Sequence, residues 1–291
     1  MPGEEITADW QIDWNGFLLG APTVYEWVRL DGWYDLPGLV NGNVKQPNDH
    51  GAWSGQSSAQ PRTVTLTVEM VAGPDGMATS VAALRAAMAV GKTSTEYPLA
   101  VRSSGETLVA WGKVSGKILP IDQPFSLGYA PHATLQWICA DPRVYELTER
   151  SLVITAPTAG IGGLTYPLSY PLSYGTAGSP NSGLAPNVGS EATKPVLVFT
   201  GPITTPRVVN TTAARALEFN IDLTAGQTLT VDTKAGTVLL NGTTDRLYTR
   251  SNLTVPVKHF ELDPGANSLT LLAAAFGTGA HLEVLWRSAY L

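Results

Sequence analysis

Four histidines, His50, His132, His259 and His281, are the first residues to consider for chemistry, because imidazole is both a common metal ligand and a general base. They stand isolated along the chain, and no pair has the spacing that sets two ligands on one face of a helix. Read as one strand, His259 and Glu261 share a face and offer two ligands at most, so no metal site is expected. Val90-Gly91-Lys92-Thr93-Ser94 ends like a phosphate-binding loop, but the motif's first glycine falls at Ala86. A helical pattern precedes it where a strand is required, and Pro98 interrupts any helix that should follow; a helix end and a polar loop are expected instead. In Gly51-Ala52-Trp53-Ser54-Gly55 the serine sits one place late for a nucleophile elbow, and a Gly/Trp loop that contacts a neighbour is expected. Carboxylates are too scattered to nominate an acid/base pair. The single Cys139 excludes an intrachain disulfide framework and a paired-cysteine redox or metal site, which fits folding in a reducing cytoplasm. Three Asn-x-Thr triplets, at Asn210, Asn241 and Asn252, are read as chance matches in a Thr-rich chain. The expectation is a protein with no catalytic residues, no metal and no cofactor.

Aromatic residues supply the remaining candidates. Seven of the eight tryptophans, Trp10, Trp14, Trp27, Trp33, Trp53, Trp111 and Trp137, lie in the first half, and only Trp286 lies in the second. Large rigid rings suit a core and a subunit interface equally, since they give contact area at low entropic cost.

The elements that must position these residues are mostly strands. Period-two alternation is plain in Thr63 to Met70, with Val64, Leu66, Val68 and Met70 on one face. Thr23 to Tyr34 and Gln136 to Cys139 read as further strands. One helix is expected from about Gly76 to Val90, where Met77, Val81, Leu84 and Met88 recur at helical spacing before Gly91. In the second half, short runs such as Val196 to Phe199, Leu217 to Ile221, Leu229 to Val231, Val238 to Leu240, His259 to Leu262, Leu269 to Leu271 and Leu282 to Trp286 alternate with turns, which indicates a β-sandwich. Asn241-Gly242 predicts a type I′ hairpin, and Asp263-Pro264-Gly265 a second turn.

Between Arg150 and Glu191 there is no Asp, Glu, Lys or Arg, and Gly, Pro and Ser recur. Tyr166-Pro167-Leu168-Ser169 is repeated at once as Tyr170-Pro171-Leu172-Ser173, and prolines at that spacing predict an extended arm lying on a surface. This break divides the chain into a first domain, 1–153, a connector, 154–190, and a second domain, 191–291. Charged residues are only 14% of the 291, and the formal charge of −6 includes no Lys/Arg block, so a phosphate-tracking nucleic-acid groove is not expected. The longest apolar runs fall short of the ~18 residues of a membrane span, and the start Met1-Pro2-Gly3-Glu4-Glu5 is acidic where a signal peptide is basic. Neither membrane insertion nor signal-peptide export is expected.

Taken in order, several segments resemble one family. In the first half they are Asp35-Leu36-Pro37-Gly38, Gly51 to Gly55, Pro61-Arg62 leading into a strand, the Ala-rich helix, and Ala140-Asp141-Pro142-Arg143-Val144-Tyr145. In the second they are Pro195 to Ile203, Gly226 to Asp232, Val238 to Gly242, Leu262 to Asn267 and Val284 to Arg287. The family is that of the distal tail (Dit) proteins of phages with long non-contractile tails. The resemblance covers nearly the whole chain and implies an all-β protein with one helix: an N-terminal β-barrel or sandwich that forms a ring, followed by a galectin-like C-terminal β-sandwich. It further implies a minor structural protein of the siphovirus virion, at the tail tip, assembled in the host cytoplasm. There a homo-hexamer would join the tail tube and tape-measure proteins to the baseplate hub and a receptor-binding protein. Its lumen would pass DNA without binding it, in keeping with the acidic balance. The helix around Leu84 is expected to pack on the N-terminal sheet, and Trp10, Trp14 and Trp53 are the rings expected at the subunit interface. A competing reading is a carbohydrate-binding module that attaches to host-surface glycans, with Tyr248, His259 and Trp286 as its rings, although alternation sets Trp286 on the core face of Val284. A third, an enzyme acting on cell-wall glycans, lacks a residue set to carry it.

Overall fold

The computed structural model describes residues 2–158, 170, 178 and 180–291. Apart from Tyr170, the Tyr-Pro-Leu-Ser repeat lies outside the described residues. The chain forms two compact units, Met1–Leu147 with Tyr290–Leu291, and Thr148–Ala289.

The first unit is a mainly antiparallel β-structure whose sheet runs in the order Phe17–Leu19, Gln11–Trp14, Tyr97–Ser103, Glu106–Ile118, Tyr129–Cys139, Arg62–Val71 and Tyr25–Asp31. Its backbone is the long strand Glu106–Ile118, which changes partner midway. Residues up to Gly112 pair with Tyr97–Ser103, and those from Lys113 onward pair with Tyr129–Cys139, with a bulge between Val114 and Gly116. Bulges add local twist, which turns the two halves of the sheet toward each other. At the handover Gly112 leaves no room for a side chain: a Cβ there would come within 2.8 Å of both Cys139 Sγ and the Ile138 carbonyl oxygen.

The alternation expected over Thr63 to Met70 is present, with Val64, Leu66, Val68 and Met70 fully buried. The helix covers this face, and Met77, Val81 and Leu84 join the same core. It runs from Gly73 to Ala87, three residues earlier at each end than the spacing predicts. Pro74 is tolerated in the first turn because the amide it lacks has no intrahelical partner there, so Pro74-Asp75-Gly76 begins the helix instead of preceding it. Two bonds lash the helix to the sheet: Tyr25 Oη donates to the Ser80 carbonyl at 2.7 Å, and Trp14 Nε1 to the Ala87 carbonyl at 3.0 Å. A second helical turn, Gln123–Ser126, has no apolar period to announce it; the Asp122 carboxylate caps it by accepting the Phe125 N–H.

One segment of this unit stands apart from the core. Leu39–Asn41 pairs with Ser57–Ala59, and Val44–Lys45 with Ala52–Trp53, making an interrupted hairpin arm with almost every residue exposed.

The second unit is a β-sandwich. One sheet orders Arg150–Thr155, His281–Trp286, Val196–Thr200, Thr228–Asp232, Thr237–Leu240 and Thr244–Asp245; the other orders Ser182–Asn187, Gly265–Leu272, Arg207–Asn210 and Arg215–Glu218. Inward residues of the first, such as Leu197, Phe199, Val231, Leu282 and Val284, share one core with Val208, Leu217, Leu269 and Leu271 of the second. Arg150–Thr155, which the composition break places mostly in the first domain, pairs along its whole length with His281–Trp286 in this unit. The Asn241-Gly242 hairpin forms as expected: both residues have positive φ, 49° and 72°, and the Thr243 N–H closes the turn on the Leu240 carbonyl at 3.2 Å. His259 to Leu262 corrects the expectation of a strand. Val257–His259 is a 3-10 turn entered from Pro256, and only Leu262 makes a β-bridge, to Thr193. Proline fixes φ and lacks a donor, so no ladder starts at Pro256, and the 3-10 turn that follows it takes up Val257–His259.

Candidate interaction surfaces

The tryptophans of the first unit separate by exposure. Trp14 is 4% exposed; its ring stacks tilted on buried Trp137 at 5.7 Å, and it leaves no face for a neighbour. Trp10 is 58% exposed and meets Trp27 edge-on at 5.5 Å. Trp53, 56% exposed, sits on the hairpin arm, where Leu36, Leu39, Val40 and Val44 are also exposed. An isolated two-stranded hairpin is marginal in water, and this one adds nothing to the core beside it. Among the described residues the arm therefore leaves apolar side chains open to solvent.

Sequence reasoning missed Arg62, whose position could be found by extending the alternation one step back from Val64. Its guanidinium is buried and donates to the carbonyls of Gly32, Trp33 and Asp35 through Nη1, at 2.7, 2.8 and 2.9 Å, and to that of Pro142 through Nε at 2.7 Å. It thus ties the turn leading to the arm to the loop after Cys139.

In the second unit, the rings proposed for sugar binding divide. Trp286 is 4% exposed and donates Nε1–H to the Pro186 carbonyl at 3.0 Å, a core position. Tyr248 and His259 are both exposed, and they line one cavity of about 780 Å³ together with Gly236, Asp245, Leu247, Arg250, Asn252 and Lys258. His259 and Glu261 do not share a face as a ligand pair; Glu261 instead pairs with Lys194 at 3.4 Å. Lys92 and Thr93 lie in the loop after the helix, where the Thr93 carbonyl accepts from Lys113 Nζ at 3.4 Å.

No curated protein matches the chain. Residues 188–290 match the family model of the siphovirus-type tail component, C-terminal domain. Among solved structures, the Dit protein of phage SPP1 superposes with a TM-score of 0.66 at 14% identity, covering 97% of this chain and 99% of that one. That protein is described as a paradigm of the hub of the adsorption apparatus in phages that infect Gram-positive bacteria. A chain of the phage P2 baseplate in its activated, calcium-bound conformation superposes with a TM-score of 0.50 at 11% identity, covering 94% and 96%. The matched family is one of structural tail proteins, not of enzymes. Residues 188–290 thus resemble the C-terminal domain of siphovirus-type tail components, and the chain shares the fold of the SPP1 Dit protein along nearly its whole length.

Proposed function

We propose that the protein is the hub ring of a siphophage tail tip, a homo-hexamer that continues the tail tube and links it to the baseplate and its receptor-binding protein. The observation that carries this reading is a fold shared with SPP1 Dit along nearly the full length of both chains. In this reading the first unit, Met1–Leu147 with Tyr290–Leu291, makes the ring, and the second offers the attachment surface for other tail proteins. Rings built by rotation use heterologous contacts, one patch meeting a different patch on the next copy. The exposed arm with Trp53 suits one half of such a contact, since it exposes apolar side chains and stands apart from the core. Trp10 is the second exposed candidate. A net charge of −6 per copy is in keeping with a lumen that passes DNA without holding it.

Native mass spectrometry of the purified full-length protein, with negative-stain microscopy, tests the ring. Six-copy particles with an open centre are expected. A protein that stays monomeric in solution and forms no six-fold ring in cryo-electron images of the phage tail tip would falsify the proposal.

A further inference from the structure

We propose that the cavity of the second unit is a binding site for an acidic saccharide, a sugar bearing a carboxylate or phosphate. Its volume of about 780 Å³ lies within the ~300–1,000 Å³ range of small-ligand sites. Tyr248 is 79% exposed on its rim, a flat ring held out into water in a unit whose other rings mostly serve the core. A sugar offers what such a ring lacks: an apolar C–H face to cover it and hydroxyls for the polar groups beside it.

The platform is preorganised. Asp245 Oδ1 accepts the Leu247 N–H at 2.8 Å and starts the 3-10 turn Leu247–Thr249. The Arg250 guanidinium donates through Nη1 to the carbonyls of Ser251, Thr254 and Val255 at 2.9, 2.9 and 3.4 Å, folding the loop around itself. The backbone N–H groups of Ser251 and Val255 reach the carbonyls of Glu218 and Ala216, and that of Asn220 reaches the Thr249 carbonyl, which binds the loop to the sandwich. Arg246 lies 5.9 Å from the centre of the Tyr248 ring and helps to fix it. A site fixed beforehand loses little entropy on binding.

Charge selects the ligand. The chain is acidic overall, yet the rim places Arg250 and Lys258, with Arg246 beside them, against the single carboxylate of Asp245. Among the described residues Arg250 has only carbonyl partners, which solvate its charge without cancelling it. Within the same residues neither a hydrogen bond nor an ion pair engages the Lys258 ammonium, the Asn252 amide or the His259 ring, so these donors remain for a ligand. A neutral sugar would leave the cations unused; a carboxylate or phosphate on the sugar would meet them in a charge-assisted bond.

The site lies wholly in the second unit and does not depend on the ring reading. Full-length protein is titrated by calorimetry with oligogalacturonate and with glucose 1-phosphate, each beside its neutral parent sugar, and with inorganic phosphate and AMP. Binding of at least one acidic sugar, roughly tenfold tighter than its parent, is expected, and roughly tenfold weakening by Tyr248→Ala or Lys258→Gln. Both side chains are exposed, so both variants should keep the wild-type circular dichroism and unfolding midpoint. Preference for the uronate or for the sugar phosphate tells which acid the site reads. The proposal is overturned if neither acidic sugar binds, if the parents bind equally, if Tyr248→Ala changes nothing, or if phosphate or AMP binds better than the acidic sugars.

Discussion

Arg62 shows how much one buried charge can organise. It follows Pro61 at the start of its strand, on the face turned inward, and ends with four carbonyls from two separate loops as its partners. Burial pulls its pKa below the ordinary arginine value, with Cys139 and Asp35 acting the other way, yet no carbonyl can replace the charge that aligns them. Arg62→Ala strands those oxygens, and we expect a loss of about 3–5 kcal/mol in urea denaturation. Arg62→Lys should recover only a fraction of it, because an ammonium lacks the planar fork that reaches both loops. A loss below ~1 kcal/mol for the alanine variant would show that the loops hold without the clamp. Cys139, directly across the ladder from Arg62, gives a pH prediction. Burial, and then the Glu96 carboxylate, push its thiol from 9.0 up to about 12. Burial also raises Tyr145, whose hydroxyl donates to Asp141 at 2.7 Å. Raised acids stay neutral in the folded state, so their contribution is complete below the unfolded value near 9 and fades as pH climbs toward about 12. Denaturation midpoints should therefore fall above about pH 9, and less steeply in Cys139→Ala. At about pH 8 a thiol reagent should label the native protein far more slowly than the urea-unfolded chain. Of these residues the sequence shows the lone cysteine and the alternation that buries its strand. The four partners of Arg62 come from residues 27–30 and 80 positions away, which no local pattern reveals.

Two glycines separate the two ways an element can demand that residue. At Gly242 a Cβ would meet nothing, so Gly242→Ala costs only the strain of the hairpin's positive φ, an expected ~1 kcal/mol. At Gly112 φ is ordinary but the space is taken by backbone and by Cys139 Sγ, so Gly112→Ala must push adjacent strands apart at the point where the sheet changes partner. A loss of about 2–4 kcal/mol is expected in denaturant melts, and equal losses at the two sites would refute the distinction. Only the first glycine was legible in the sequence. Asn-Gly between apolar runs names its turn, whereas the Gly112 contact depends on a strand that arrives some 26 residues later. The same rule governs the elements. The Thr63 to Met70 strand, the helix and the sandwich strands were readable because their periods are local. The short Gln123–Ser126 turn and the 3-10 turn at His259 were not, because a turn of three or four residues has no period to read. Of the candidate surfaces, composition could pick out the aromatic residues but not their exposure. Tyr248 and His259 meet in one cavity through a loop whose shape Arg250 dictates, while Trp286 follows its alternation into the core.

For the whole molecule, the sharpest question about the proposed ring is whether the exposed arm is the contact through which its copies would assemble. Low charge in the chain and an arm with apolar side chains on view are what a subunit made to be covered requires. If Trp53 anchors that contact, Trp53→Ala should remove about 2 kcal/mol at each interface, roughly a 30-fold weaker association per contact. Every junction of a closed ring uses the same patch, so the loss recurs at each one, and rings should give way to monomer at concentrations where the wild type is fully assembled. The variant monomer should keep its circular dichroism and unfolding midpoint, because Trp53 adds nothing to the core. Trp14→Ala is the necessary contrast. Its ring is buried against Trp137 and bonded to Ala87, so a loss of about 3–5 kcal/mol should unfold the first unit and abolish rings without any interface role. Trp10→Ala should fall between the two, since its ring is already engaged along one edge by Trp27 within the unit. Native mass spectrometry over a dilution series, beside a thermal melt of each variant, separates these cases. Rings unchanged in Trp53→Ala would move the interface off the arm and leave Trp10 and the exposed sheet edges to supply it.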